Sequence, residues 1–207
     1  MLEIKNIETF FPDKTVDDFI HKDDFLSSIS VIWDMKGNGV FMPEFQRYGK
    51  TANCGIVMSQ STMHSMNKFM TSDYDPFTKY VTPETKQHIK DLYQQWVDVK
   101  NEFDSCSQDK KDLYKIKVYE SFERLVHNLP RGFELWTTIT TNYLQLKTIV
   151  IQRKNHKNIE DWGAFIQTCY TLPDFRKLCK LEDSKWDISN IFPQLKILQG
   201  DKTNENN

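Results

Sequence analysis

Asn142 and Arg153 stand eleven residues apart in the run NYLQLKTIVIQR, and Lys154, His156 and Lys157 follow at once. Eleven residues make three helical turns, so both side chains leave one face about 16 Å apart along the axis. The free N–H groups at a helix N-terminus favour an anion or a carbonyl oxygen beside Asn142. The planar fork of Arg153 suits a phosphate, and the basic exit adds further donors. Such a face can hold a mononucleotide, with its base near one end and its phosphate near the other. The bland reading stays open: Asn142 is only a cap, and RKNHK is a solvated helix end whose cations favour a C-terminus anyway.

Several elements must position that face. Thr82-Pro83-Glu84 starts a helix over about 84–104, with Ile89, Leu92, Tyr93, Trp96, Val99 and Phe103 at helical spacing. A second helix, about 110–128, carries Leu113, Ile116, Phe122, Leu125 and Val126 and stops before Pro130. Both apolar stripes read as core or subunit interface. From Gly132 the chain alternates as a strand, with Phe133, Leu135, Thr137 and Ile139 on one face. Asn142 then caps the next helix, and shorter helices are expected at Ile159–Cys169 and Asp174–Leu181. Upstream, residues 1–45 read as strands and turns. Phe25–Trp33 is expected as a strand, closed by a turn at Lys36–Gly39. Residues 51–66 read as a polar loop grading into a helix. The expectation is one α/β (α+β) domain over 1–199, with a helical insertion at about 84–128 and a polar tail over 200–207.

Order and spacing together resemble the flavin-dependent thymidylate synthase family. That family runs Arg-x-x-Leu-Pro, a strand, Asn-Ala-Arg-Ser-Leu opening a helix that closes Leu-x-Leu-Arg, then a His and Gln-Trp-Glu-Ile. Here Arg124 precedes Leu129-Pro130 by two extra residues. The strand follows, then Asn142 with Leu146 four residues on, Arg153 at the matching interval, His156 and Trp162. Leu144 stands where the family has Arg, and the Gln before Trp has no counterpart. The match covers about a fifth of the chain. It implies a central, mostly antiparallel sheet with long helices, and a divergent, phage-like branch of the family.

The family's signature, Arg-His-Arg-x-x-Ser-x-Asn-x-x-Ser-x-Arg-Tyr, is degraded here to Gln46-Arg47-Tyr48-Gly49-Lys50-Thr51-Ala52-Asn53, with Ser61-Thr62-Met63-His64 after a shift. The resemblance implies FAD as cofactor, contacted by Arg47, Asn53, Asn142 and His156. It implies a dUMP-like substrate contacted by Arg153, Asn142, Ser61 and Arg124, with Ser61 and Arg153 in the catalytic roles. A flavin pyrophosphate needs matched donors. Removing one charge-assisted hydrogen bond costs about 1.5–3 kcal/mol, so Arg47, Lys50 and Lys68 must replace the missing arginines or the cofactor does not bind. Reductive methylation of the nucleotide is therefore one expectation. The other is a non-catalytic nucleotide-binding, sequestering or protein-interaction module on the same scaffold. An accidental resemblance in a purely structural protein is a third. The family also implies a homotetramer.

Composition narrows the remaining classes. Apolar residues make up 39 % and charged residues 27 %, with a formal charge of −2, so a nucleic-acid polymer or anionic membrane is not expected as partner. No apolar run approaches the roughly 18 residues of a spanning helix, and the first residues do not read as a signal peptide, so a cytoplasmic protein is expected. Cys54, Cys106, Cys169 and Cys179 lack zinc-site spacing, and neither a metal nor a disulfide is expected. His64 could act as a base beside Ser61, but it has no acidic partner in sequence. A surface role is the plainer reading for it, as for His88 and His127.

Overall fold

Alternation fixes the central strands. In β2 (Ser30–Asn38), Val31, Trp33 and Met35 are buried while Ile32, Asp34 and Lys36 are half-buried, the period-two pattern of a strand with one face on a core. In β4 (Glu134–Asn142), Thr137, Ile139 and Thr141 point inward, as the sequence alternation predicts for the first two. The computed structural model describes residues 2–12, 23–50 and 55–192. The expected tail at 200–207 lies outside them.

The chain is a mixed α/β fold with one four-stranded sheet, ordered β1 (Glu3–Phe10), β2, β4, β3 (Gly55–Ser59). The pairs β1–β2 and β3–β4 are antiparallel, each with a bulge. Between β2 and β4, the Tyr143 N–H donates to Ile29 O at 3.0 Å and Thr138 Oγ1 donates to Asp34 Oδ1 at 2.6 Å. Those two contacts run in opposite chain directions, so this pair is antiparallel too.

Two compact units divide the chain: Met1–Gly37 with Phe41–Ser59 and Trp136–Asn207, and Asn38–Val40 with Gln60–Leu135. In the first, α1 (Phe41–Gln46), α5 (Tyr143–Arg153), α6 (Ile159–Thr171), α7 (Phe175–Leu178) and α8 (Ile188–Ile191) surround a core rich in aromatic rings. Trp33, Phe41, Phe165 and Trp162 are fully buried and meet edge-on or tilted at 4.6–6.1 Å between centroids. Burial of such side chains stabilises by about 1.5–3 kcal/mol each.

In the second unit, α2 (Thr62–Thr71), α3 (Pro83–Ser105) and α4 (Lys111–His127) enclose Met66, Phe69, Ile89, Leu92, Tyr93 and Leu125. The predicted start of α3 is present: Thr82 Oγ1 accepts from the Thr85 N–H, with Pro83 at the first helical position. Ile89, Leu92, Tyr93 and Leu125 supply core, whereas Leu113, Ile116 and Tyr119 of α4 face solvent. Gly132 is required by close approach: a Cβ there would run into the side chains of Val81 and Thr78.

Several expectations are corrected. Phe25–Ser28 is not strand; Asp23–Ser28 is a 3-10 turn, in which the Ser27 and Ser28 hydroxyls donate back to Asp24 O and Phe25 O. The Lys36–Gly39 turn comes later, because β2 runs through Asn38, whose Oδ1 then accepts from the Val40 N–H. Phe41–Gln46 forms α1, where strands and turns are expected up to residue 45. Pro43 is tolerated there because a first-turn N–H has no intrahelical acceptor to lose. Gly55–Ser59, read as loop, is edge strand β3, exposed at every position and so without the alternation that betrays a strand. The helix expected at Asp174–Leu181 shortens to α7, because Asp174 before it and Lys180 beyond it take left-handed φ values of 51° and 57°.

Candidate functional site

A polar cluster of the first unit forms where α5 ends. Its start follows from Asn142, whose Oδ1 accepts from the Gln145 N–H at 2.9 Å. The buried stripe Tyr143, Leu146, Ile149 and Val150 then fixes the rotation of α5 on the sheet and brings Arg153 to the rim of the core.

The segment after α1 lies along this helix. Residues Arg47–Lys50 form a 3-10 turn, and the Tyr48 carbonyl accepts from Gln145 Nε2 at 2.8 Å. Farther along the same helix, at its last residue, Arg153 Nε donates to the Tyr48 hydroxyl at 2.6 Å. The Arg153 guanidinium carbon stands 4.6 Å from the Trp162 ring centroid and 5.2 Å from that of Tyr48. A cation so placed is attracted by each ring quadrupole, worth about 0.5–2 kcal/mol depending on desolvation.

Glu44, one turn before Tyr48, closes the cluster with a single oxygen. Its Oε2 accepts from Trp162 Nε1 at 3.0 Å and lies 3.5 Å from Arg153 Nη1 and 3.4 Å from His156 Nε2. The Asn158 N–H donates to His156 Nδ1 at 3.1 Å, so neutral His156 carries its proton on Nε2, facing Glu44. Burial holds the His156 imidazolium below its ordinary range; Glu44 pulls it upward and Arg153 pushes it down again. With Nδ1 occupied and Nε2 protonated, His156 has no free lone pair and is not a general base in this arrangement. The arrangement can instead hold and orient charge. The side chains of Arg153, His156 and Glu44 are 16 %, 24 % and 27 % exposed, so solvent reaches the rim of the cluster.

No family model matches the chain, and no curated protein matches it either. Solved structures do, among them thymidylate synthase X (ThyX) from Helicobacter pylori with FAD and dUMP, similar at a TM-score of 0.45 and 10 % identity over 82 % of this chain and 79 % of that one.

Of the residues singled out by sequence, Arg153 and His156 come together, joined through Glu44. Arg47 adjoins Tyr48 with an exposed side chain. Asn142 sits at the far end of α5, buried at 4 % exposure and engaged as the cap, which bears out the expected capping. Asn53, Thr51 and Cys54 lie outside the described residues, and so does the side chain of Lys50. Ser61 and Arg124 belong to the second unit. Ser61 precedes α2, exposed and without a side-chain cap bond, and Arg124 is exposed in the last turn of α4. His64, His88 and His127 are exposed, His127 at 3.0 Å from Glu123. Among the described residues, no group of three His, Cys, Asp or Glu side chains could hold a metal ion, and no helix is long and apolar enough to cross a membrane. Cys106, Cys169 and Cys179 are free thiols.

Sequence reasoning missed Glu44 and undervalued Tyr48, which it treated only as a replaced arginine. A signal for both existed: Phe41, Glu44, Phe45 and Tyr48 recur at three- and four-residue spacing, one face of a continuous helical turn.

Proposed function

We propose that the protein is a divergent flavin-dependent thymidylate synthase-like protein that binds a pyrimidine deoxynucleotide of the dUMP kind, with Arg153 as its phosphate contact. One observation carries this reading. Tyr48, in the degraded signature segment, packs along the helix that runs from Asn142 to Arg153 and is bonded to both Gln145 and Arg153. In the resemblance those two stretches together make the nucleotide site. Assembly as a homotetramer, a cytoplasmic location and a phage-type origin belong to the same proposal.

FAD fits the described residues poorly. A pyrophosphate needs several uncommitted donors. Of the described residues assigned to the cofactor, Asn142 is buried and engaged as a cap about 16 Å away along α5 from His156 and its neighbour Arg153, too few donors in one place for two phosphates. The same shortage of donors favours a second reading, a non-catalytic binding or protein-interaction module on this scaffold, which the exposed Leu113, Ile116 and Tyr119 of α4 also suit.

The test is an absorbance spectrum of the purified protein, titrated with FAD and then dUMP, beside a thermal melt with dUMP. Flavin bands that shift on adding dUMP support reductive methylation, to be followed by a tritium-release assay. A colourless protein stabilised by dUMP supports nucleotide binding without flavin chemistry. No response to either ligand overturns the nucleotide reading.

A further inference from the structure

The charge balance around Arg153 has an unusual form. An arginine matched to a structural carboxylate usually makes two short parallel bonds of about 2.7–2.9 Å. Here the Arg153–Glu44 contact is 3.5 Å, comes from one nitrogen, and meets an oxygen already accepting from Trp162 Nε1 at 3.0 Å. The firm partner of Glu44 is the indole. Its hold on Arg153 and His156, at 3.5 and 3.4 Å, is loose. The guanidinium itself is held independently, by the Tyr48 hydroxyl at Nε and by two aromatic faces. Removing the Glu44 charge would thus leave Arg153 in place, with the edge bearing Nη1 less committed.

We propose that Glu44 is the specificity-determining residue of this site: an internal carboxylate that stands in for an anion and admits only ligands charged enough to displace it. This rests on the nucleotide reading of Arg153 given above. A phosphate monoester brings up to two negative charges and three acceptor oxygens to a site that one carboxylate oxygen serves loosely. It can engage the Nη edge of Arg153 and the Nε2–H of His156 together. A carboxylate or a nucleoside offers one charge or none, and does not compensate for parting Glu44 from Arg153 and His156. The ligand class selected is therefore a phosphomonoester, and the carboxylate weakens binding of every anion by repulsion until it moves.

Glu44→Gln tests this directly. The glutamine amide oxygen still accepts from Trp162 Nε1, so folding is preserved while the charge is removed. Calorimetric titrations of the whole protein with dUMP and with deoxyuridine are compared for the wild type and the variant. The expected result is dUMP binding at least fivefold tighter in Glu44→Gln, with deoxyuridine unchanged. Equal or weaker dUMP binding by a folded variant overturns the role of Glu44 while leaving the nucleotide site standing. An equal gain for deoxyuridine also overturns it, because the effect is then not electrostatic. If neither protein binds dUMP, the reading of Arg153 falls and this inference falls with it. Should the variant not fold, the wild type gives a second readout, the Trp162 indole N–H resonance. That resonance is expected to move when dUMP draws Arg153 and His156 from Glu44, and binding that leaves it in place overturns the inference.

Discussion

Arg153 Nε donates to the Tyr48 hydroxyl at 2.6 Å across 105 residues of chain. That bond ties the turn after α1 to the end of α5 and sets the orientation of the guanidinium between the Tyr48 and Trp162 rings. Tyr48→Phe keeps the ring and removes the acceptor. The expected loss is about 1–2 kcal/mol, that of a charge-assisted hydrogen bond whose donor water can still reach. A urea midpoint equal to that of the wild type would show that the rings alone orient Arg153.

Asn142 is tested by separating its cap from any ligand role. Asn142→Ala is expected to cost about 1–2 kcal/mol, while Asn142→Ser, an equivalent capping residue, restores most of it. If serine is as damaging as alanine in thermal melts, the side chain does something besides capping.

Acid stability is expected to report on His156. Its folded-state value lies below the ordinary one near 6.5, so the unfolded chain binds the proton more readily. Stability from this group is therefore fully present above about pH 6.5 and lost as pH falls through the depressed folded value. His156→Gln should flatten the fall in urea midpoint between neutral and mildly acidic pH. A variant with an unchanged slope would place that dependence elsewhere.

Asp34 gives a second acid limb at lower pH. Hydrogen bonds from Thr138 and Asn6 hold its carboxyl below the usual carboxylate range, and Lys5 acts in the same direction. The linked stability is present above the ordinary range and disappears as pH falls through the lowered value. Thr138→Val removes the largest of these contributions, so acid unfolding should begin at a higher pH. No change in the acid midpoint counts against it.

At Gly132 the prediction is steric. Gly132→Ala drives a methyl into Val81 and Thr78 and is expected to cost about 1–3 kcal/mol by overpacking. A melting temperature within a degree of the wild type would mean that those side chains give way freely.

The elements that carry long apolar periods were legible from the residues themselves. Helix α3 announces itself through Thr82-Pro83 and the Ile89, Leu92, Tyr93 spacing, and β4 with α5 through the change from period two to helical period at Asn142. Helix α1 was not, because its six residues contain a proline that masks the helical spacing of Phe41, Glu44, Phe45 and Tyr48. Strand β3 was hidden for the opposite reason: an edge strand exposed throughout has no buried face to impose alternation.

The same division holds at the candidate site. Local sequence determined that Asn142 opens a helix and that Arg153 closes it beside His156, because caps and turns are settled within a few residues. Tertiary structure alone decided that Arg153 and His156 share Glu44, more than a hundred residues away in the chain. A cation's state depends on the charges and rings nearest in space and on how much water is excluded around them. Packing of the core sets both, and sequence spacing sets neither.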